Sequence, residues 1–247
     1  MYEKVIYSAI LLIIAIAISR YNSLKAEKDL IIGGIRAAIQ LVLIGYVLHY
    51  IFSLNKLWAQ ILLLLIMSII AAFTARGRAK EVKNAGFLSF IGIVSGTFVS
   101  IGVLLAVGFI TPEPKYLIPL GGMVIGNTMT ASALALDRFH SELKTNLPKI
   151  LFALSLGMST KDASIFYIRK SIRAAMTPII NTLKIVGLIQ LPGAMTGMLV
   201  AGASPMDAAM FQLAIMYMIA AAVSTGSSAA LLLARRNLFY KDITVNI

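Results

Sequence analysis

Apolar residues in this chain come in long runs without two-residue alternation, and the runs end at charge, Gly or Pro. A helix needs about 20 mainly apolar residues to cross the hydrocarbon of a bilayer. Seven stretches meet or approach that length: 5–19, 37–54, 57–75, 87–110, 116–136, 185–201 and 210–233. The pattern predicts an all-α, polytopic membrane protein of about seven transmembrane helices, built as a single domain over residues 1–247. The first run is preceded by Lys4 alone and by no small-residue cleavage site, so it reads as a helix of the mature chain rather than a leader.

The longest stretch outside these runs is 137–184, and it carries its own pattern. Leu147-Pro148-Lys149 has the form of a helix start, with Pro in the first turn. Ile150, Leu151, Leu154 and Leu156 follow, and Gly157 ends the run. Ser159-Thr160-Lys161-Asp162 has the spacing of a capping box, and Asp162 suits the positive end of a helix. Beyond it Ile165, Ile168, Ile172 and Ala175 share one helical face, while Lys161, Arg169, Lys170 and Arg173 lie off it. Two readings fit this amphipathic segment. One is a helix lying on anionic lipid. The other is an element that docks a cytoplasmic partner. Two short helices around a glycine resemble the coupling loop of ABC permeases, and Ala153 and Gly157 keep that loop's Ala-x-x-x-Gly spacing without its leading Glu.

Composition agrees with the bilayer. Hydrophobic residues make up 59% of the 247 positions and charged residues 13%, with a mean hydropathy of +0.89. A soluble domain is expected to be about 45–50% apolar and about 25% charged. The net charge of +12 is informative through its placement. With the N-terminus outside, Lys4, Lys56 and Lys115 face outward and the other nineteen of 22 cations face inward. They occupy every inner loop and a tail with Arg235, Arg236 and Lys241. Lys and Arg are retained on the cytoplasmic side during insertion, which puts the C-terminus in the cytoplasm. Charge spread in this way marks lipid as the partner surface and argues against nucleic acid. With no Cys, disulfides and thiolate chemistry are excluded.

Polar groups inside the runs are the candidates for a substrate path, because they are costly against lipid. Asn127, Thr128 and Thr130 stand in the fifth run among Met123 and Met129, and Met195 stands in the sixth. Each fits either a bond across helices or the lining of a path. Gly122/Gly126 and Gly193/Gly197 have the spacing that lets helices approach closely. Pro119 and Pro192 fall near helix ends or kinks, and Gln40, His49 and Gln190 are isolated. Of the 12 Met residues, eight fall in the last three runs and their outer link. Thioethers suit soft monovalent metal, and they also fill irregular apolar gaps. The metal ligands are left unassigned. Asp137, His140 and Glu142 are the only acid–His grouping for a membrane enzyme. A stand-alone carrier or channel would need acids within the runs, which hold almost none. No Walker A phosphate loop occurs, so any driving ATPase is a separate chain and no cofactor is expected on this one.

The run Ile118-Pro119-Leu120-Gly121-Gly122-Met123-Val124-Ile125-Gly126-Asn127-Thr128-Met129, continuing to Asp137-Arg138, resembles the FetB-type permeases of iron-export ABC transporters, which are related to plant aluminium-tolerance permeases. Arg36 with Gln40-Leu41, Ala75-Arg76-Gly77-Arg78, and Leu191-Pro192-Gly193-Ala194-Met195-Thr196-Gly197 are also similar, so the resemblance spans nearly the whole chain. It departs at Thr130, where the family usually has Asn. The resemblance implies a multi-pass inner-membrane permease, no enzyme itself, working as a homodimer with two cytoplasmic ATPase subunits that bind the ATP. Leu154, Gly157, Lys161, Ile165, Ile168, Arg169 and Arg173 would then meet the ATPase. Bacterial members imply iron as cargo, and plant relatives imply a sugar nucleotide.

Overall fold

The computed structural model describes residues 2–54 and 56–239. Lys241 and the side chain of Lys4, both counted in the charge pattern, lie outside what is described. The described residues form nine α-helices: α1 (Tyr2–Tyr21), α2 (Glu27–Leu54), α3 (Leu57–Arg78), α4 (Ala85–Ala106), α5 (Pro114–Thr145), α6 (Leu147–Ser155), α7 (Thr160–Ile185), α8 (Gly193–Val200) and α9 (Pro205–Phe239). Five are long and apolar enough to cross a membrane: α2, α3, α4, α5 and α9. The chain divides into two units between Lys56 and Leu57.

The first unit is a helical hairpin. Ser23 and Lys25 take left-handed backbone in its turn. The Ser19 hydroxyl donates to Glu27 Oε1 at 3.0 Å and accepts from the Ala26 N–H at 3.3 Å, which satisfies the open end of α2. Gly34 lets the helices touch, since a Cβ there would sit 2.5 Å from Leu12 Cδ2.

The second unit is a bundle centred on α4, α5 and α9. Its seam is made of residues too small to hold the backbones apart. A Cβ on Gly92 would lie 2.6 Å from the Gly226 carbonyl oxygen, and one on Gly96 would lie 2.6 Å from that of Ala222. Thr128 and Ser132 of α5 fill the third side and are fully buried. The close-packing glycines are therefore Gly92 and Gly96, and not the pairs expected from spacing. At Gly126, Gly193 and Gly197 an added Cβ would have nothing within 4 Å, and at Gly122 it would meet only Met67 Cε at 3.2 Å.

Of the boundaries that differ from expectation, three bear on the site. The fifth run extends nine residues beyond its apolar part, because nothing breaks the helix before Asn146-Leu147-Pro148 and Arg138 pairs with Glu142 one turn on. The helix after Gly157 is long rather than short, running 26 residues as α7. Most consequentially, 185–201 is not one helix. α7 ends at Ile185, Gly187 takes φ 83°, and its N–H donates to the Gln190 carbonyl at 3.0 Å. Pro192 then opens α8, whose eight residues rise only about 12 Å, too little to cross a bilayer.

The expected cap at Ser159 is present, and Ser204 forms a second one. Ser159 accepts from the Asp162 N–H at 3.1 Å at the start of α7. Ser204 does the same with Asp207 at 3.1 Å beside Pro205, the first residue of α9.

Candidate functional site

α5 separates the residues expected to line one path. Met123 is half-buried, Asn127 and Thr130 are exposed, and Thr128 is sealed in the seam with α4 and α9. A helix turns about 100° per residue, so Asn127 and Thr130 share a face that Thr128 leaves. Met129 packs against the α3–α4 side, away from the main core that receives Met123. Met195 lies on α8. Its N–H donates to Oε1 of Gln212, a nearly buried side chain of α9, at 3.3 Å. Sequence context does not single out Gln212, since nothing there announces that a broken helix needs an acceptor.

The open face of α5 is a polar stripe of Gly126, Asn127 and Thr130, with Gly122 half-buried beside it. The Asn127 amide donates to the Met123 carbonyl at 2.8 Å, and Thr130 to that of Gly126 at 3.1 Å. Both side chains satisfy one bond on their own helix and keep capacity for more. Arg78 Nη1 reaches Thr130 Oγ1 at 3.3 Å and brings a cation to the stripe.

The second feature is an ion cluster between α5 and α7. Glu142, with 8% of its side chain exposed, accepts from Arg138 Nη2 and from Lys170 Nζ, each at 2.9 Å. Its neighbour His140 faces Glu81 in the α3–α4 turn, with Nε2 3.1 Å from Oε2. Asp137 is exposed. Glu142 and His140 thus engage different partners, Asp137 has no ion-pair partner among the described residues, and the three residues weighed for catalysis do not assemble around one reacting atom. Among the described residues, no group of three or more His, Cys, Asp or Glu is gathered to hold a metal.

The third feature is the elbow between α6 and α7. Gly157 makes the turn at φ 85°, a left-handed conformation that suits a residue without Cβ. Lys161, Arg169 and Arg173 are exposed, Leu154 and Ile165 half-buried, and Ile168 is 2% exposed. The apolar face of α7 is therefore spent on the core of its own chain. The elbow's outward apolar groups are instead Leu151, Phe152, Leu156 and Phe166, with Phe152 and Phe166 each 66% exposed.

These contacts also trace the chain through the bundle. Lys170 ties the early part of α7 to the C-terminal end of α5, while Met195 ties α8 to the second turn of α9. Between Lys170 and Met195 the chain travels from one end of the bundle to the other.

Comparison with known proteins agrees in one direction. Residues 2–239 match the family described as uncharacterised protein family UPF0014. The chain is 36% identical to the "Probable iron export permease protein FetB" of Escherichia coli strain K12, covering 96% of this chain and 92% of that one. It is 32% identical to "Protein ALUMINUM SENSITIVE 3" of Arabidopsis thaliana, over 88% of this chain and 80% of that protein. It is 36% identical to "UPF0014 membrane protein YjkA" of Bacillus subtilis strain 168, over 93% and 90%. No solved structure matches the chain.

Proposed function

Since this chain belongs to the UPF0014 family of membrane permeases, we propose that it is the membrane-spanning subunit of an ATP-driven exporter in the inner membrane, with iron as cargo and the ATPase on a separate cytoplasmic chain. The observation that carries this reading is the α6–Gly157–α7 elbow. It presents Leu151, Phe152, Leu156 and Phe166 outward beside Lys161 and Arg169, at the end of the bundle where α5 and α7 are locked by Glu142. An apolar patch rimmed by charge is the form of a protein docking surface. ATP-driven movement of a partner seated there would pass through the Lys170–Glu142 pair into α5 and its polar stripe.

The course of the chain from Lys170 to Met195 supports a topology of seven crossings. α7 together with α8 serves as a sixth, discontinuous crossing, and the N-terminus is outside and the C-terminus cytoplasmic. Lys184 then moves to the outer side, leaving eighteen of the 22 cations inside. The positive-inside asymmetry survives the correction. Irregular backbone at membrane depth is tolerated where it faces protein or a water-filled cavity, which suits the break at Gly187–Pro192. A second copy of the chain is expected against the Gly126–Asn127–Thr130 face, because that stripe is costly if it meets lipid.

The test is reconstitution with the ATPase subunit in liposomes. Phe152→Asp and Phe166→Asp are expected to abolish the permease-dependent part of ATP hydrolysis while the chain stays folded. Hydrolysis unchanged by both would remove the elbow from the mechanism. A second reading of the cargo rests on Arg78 beside Thr130: a guanidinium on the stripe favours an anion such as a sugar nucleotide over a bare cation. Stimulation of ATP hydrolysis by iron alone, or by sugar nucleotides alone, decides between them.

A further inference from the structure

The α3–α4 turn holds an open groove of about 1080 Å³ that the transport reading does not use. That volume is slightly above the roughly 300–1,000 Å³ typical of small-molecule sites, as suits an open groove. Its lining comes wholly from the last turns of α3, the turn, and the first turns of α4. The walls are apolar and aromatic: Ile69, Phe73, Phe87 and Phe90. Arg76, Lys80 and Lys83 stand at the turn end. Among the described residues none of these three cations pairs with a carboxylate. Glu81, the acid within the same turn, is engaged by His140 at 3.1 Å and is not part of the lining. Arg78 is turned to Thr130 on α5. The groove is thus cationic at one end and oily along its length, on two helices that are long and apolar enough to span a bilayer.

We propose that this groove binds one anionic phospholipid, with the phosphate between Arg76, Lys80 and Lys83 and the upper acyl chains against Phe73, Phe87 and Ile69. A soluble anion makes no use of the aromatic walls, and a zwitterionic lipid gains little from three unpaired cations. Basic pockets between membrane helices on the cytoplasmic side are suited to such headgroups. The placement of this end in the anionic leaflet rests on the topology proposed above, but the binding itself does not.

The experiment uses the full chain in nanodiscs, where lipid reaches both sides, so its failure would speak against the groove and leave the topology standing. Trp58 is the only Trp, and a Trp58→Phe, Phe87→Trp variant puts one fluorophore in the groove. Brominated phosphatidylglycerol is expected to quench it at far lower mole fraction than brominated phosphatidylcholine. Each surface cation contributes about fivefold to such binding, so Arg76→Gln with Lys80→Gln and Lys83→Gln is expected to cut the preference on the order of 100-fold. Lys80→Gln alone, a milder change to the fold, is expected to cut it about fivefold. Lys161→Gln with Arg169→Gln and Arg173→Gln removes as much charge elsewhere and is expected to retain it. Equal quenching by the two lipids, loss of the preference in the α7 variant, or its abolition by inorganic phosphate would each overturn the proposal.

Discussion

The α4–α5–α9 seam predicts that two glycines respond to alanine with opposite signs. At Gly92 the new methyl would lie 2.6 Å from the Gly226 carbonyl oxygen and 2.9 Å from Ser132 Oγ. Carbon and carbonyl oxygen come to rest at about 3.3–3.6 Å, so α4 must move away by about 0.7 Å. A gap of that size forfeits roughly a third of each dispersion contact, worth about 0.15 kcal/mol before the move. With on the order of 40 atom pairs across the seam, the loss is about 2 kcal/mol. Alanine returns about 1 kcal/mol through helix propensity, leaving Gly92→Ala destabilised by about 1 kcal/mol. At Gly126 no atom of the same chain lies within 4 Å of the new methyl, so in the monomer only the propensity gain remains and Gly126→Ala is stabilised by about 1 kcal/mol. Thermal unfolding of the purified chain in detergent reads the difference. At about 2–4 °C per kcal/mol for a chain of this size, the two melting temperatures should fall on opposite sides of the parent's. A Gly92→Ala chain at least as stable as the parent, or a Gly126→Ala chain destabilised as much as Gly92→Ala, refutes the assignment of which α5 and α4 faces are closed.

Further outcomes rest on single contacts. Glu142→Gln strips one carboxylate from two half-exposed cations and is expected to cost about 1–2 kcal/mol, a deficit that shrinks in high salt; a salt-independent loss would show that the pairs are incidental. Gln212→Leu leaves the Met195 N–H without its acceptor, and a loss of about 1–3 kcal/mol with faster amide exchange in α8 is expected, whereas unchanged exchange would remove the tether. Because the chain has no Cys, Lys115→Cys and Lys184→Cys should both label from outside and Lys161→Cys only from within, and labelling of Lys184→Cys from within would restore a single span over 185–201. The ammonium of Lys115, and after it the Thr111 hydroxyl, hold the Glu113 carboxyl below its ordinary 4.5. Its contribution is therefore present at neutral pH and fades as pH falls through that lowered value. An NMR titration of Glu113 should show a midpoint that Lys115→Gln raises.

By itself the sequence determined the features that local patterns of apolar length, charge and turn chemistry dictate. The five long spans were legible because lipid solvates a run of side chains whatever their neighbours. The Ser159 cap and the Pro148 helix start were legible because both act within one turn. Contacts between distant segments were not. Gly122/Gly126 and Gly92/Gly96 carry the same spacing, and only the placement of Ala222 and Gly226 on α9 makes the second pair the packed one. Asn127 and Thr128 are adjacent in the chain yet stand about 100° apart around α5, one exposed and the other in the seam, so a path read from neighbours in sequence is divided in space. The run 185–201 has the hydropathy of a span, but Gly187 and Pro192 give it a break whose free N–H finds Gln212 seventeen positions beyond Met195. Ile168 reads as a docking residue from its amphipathic face, but tertiary packing gives that face to the core and leaves Phe152 and Phe166 outside. A periodic pattern states that a face is apolar; which surface covers it is decided by the helices that arrive there.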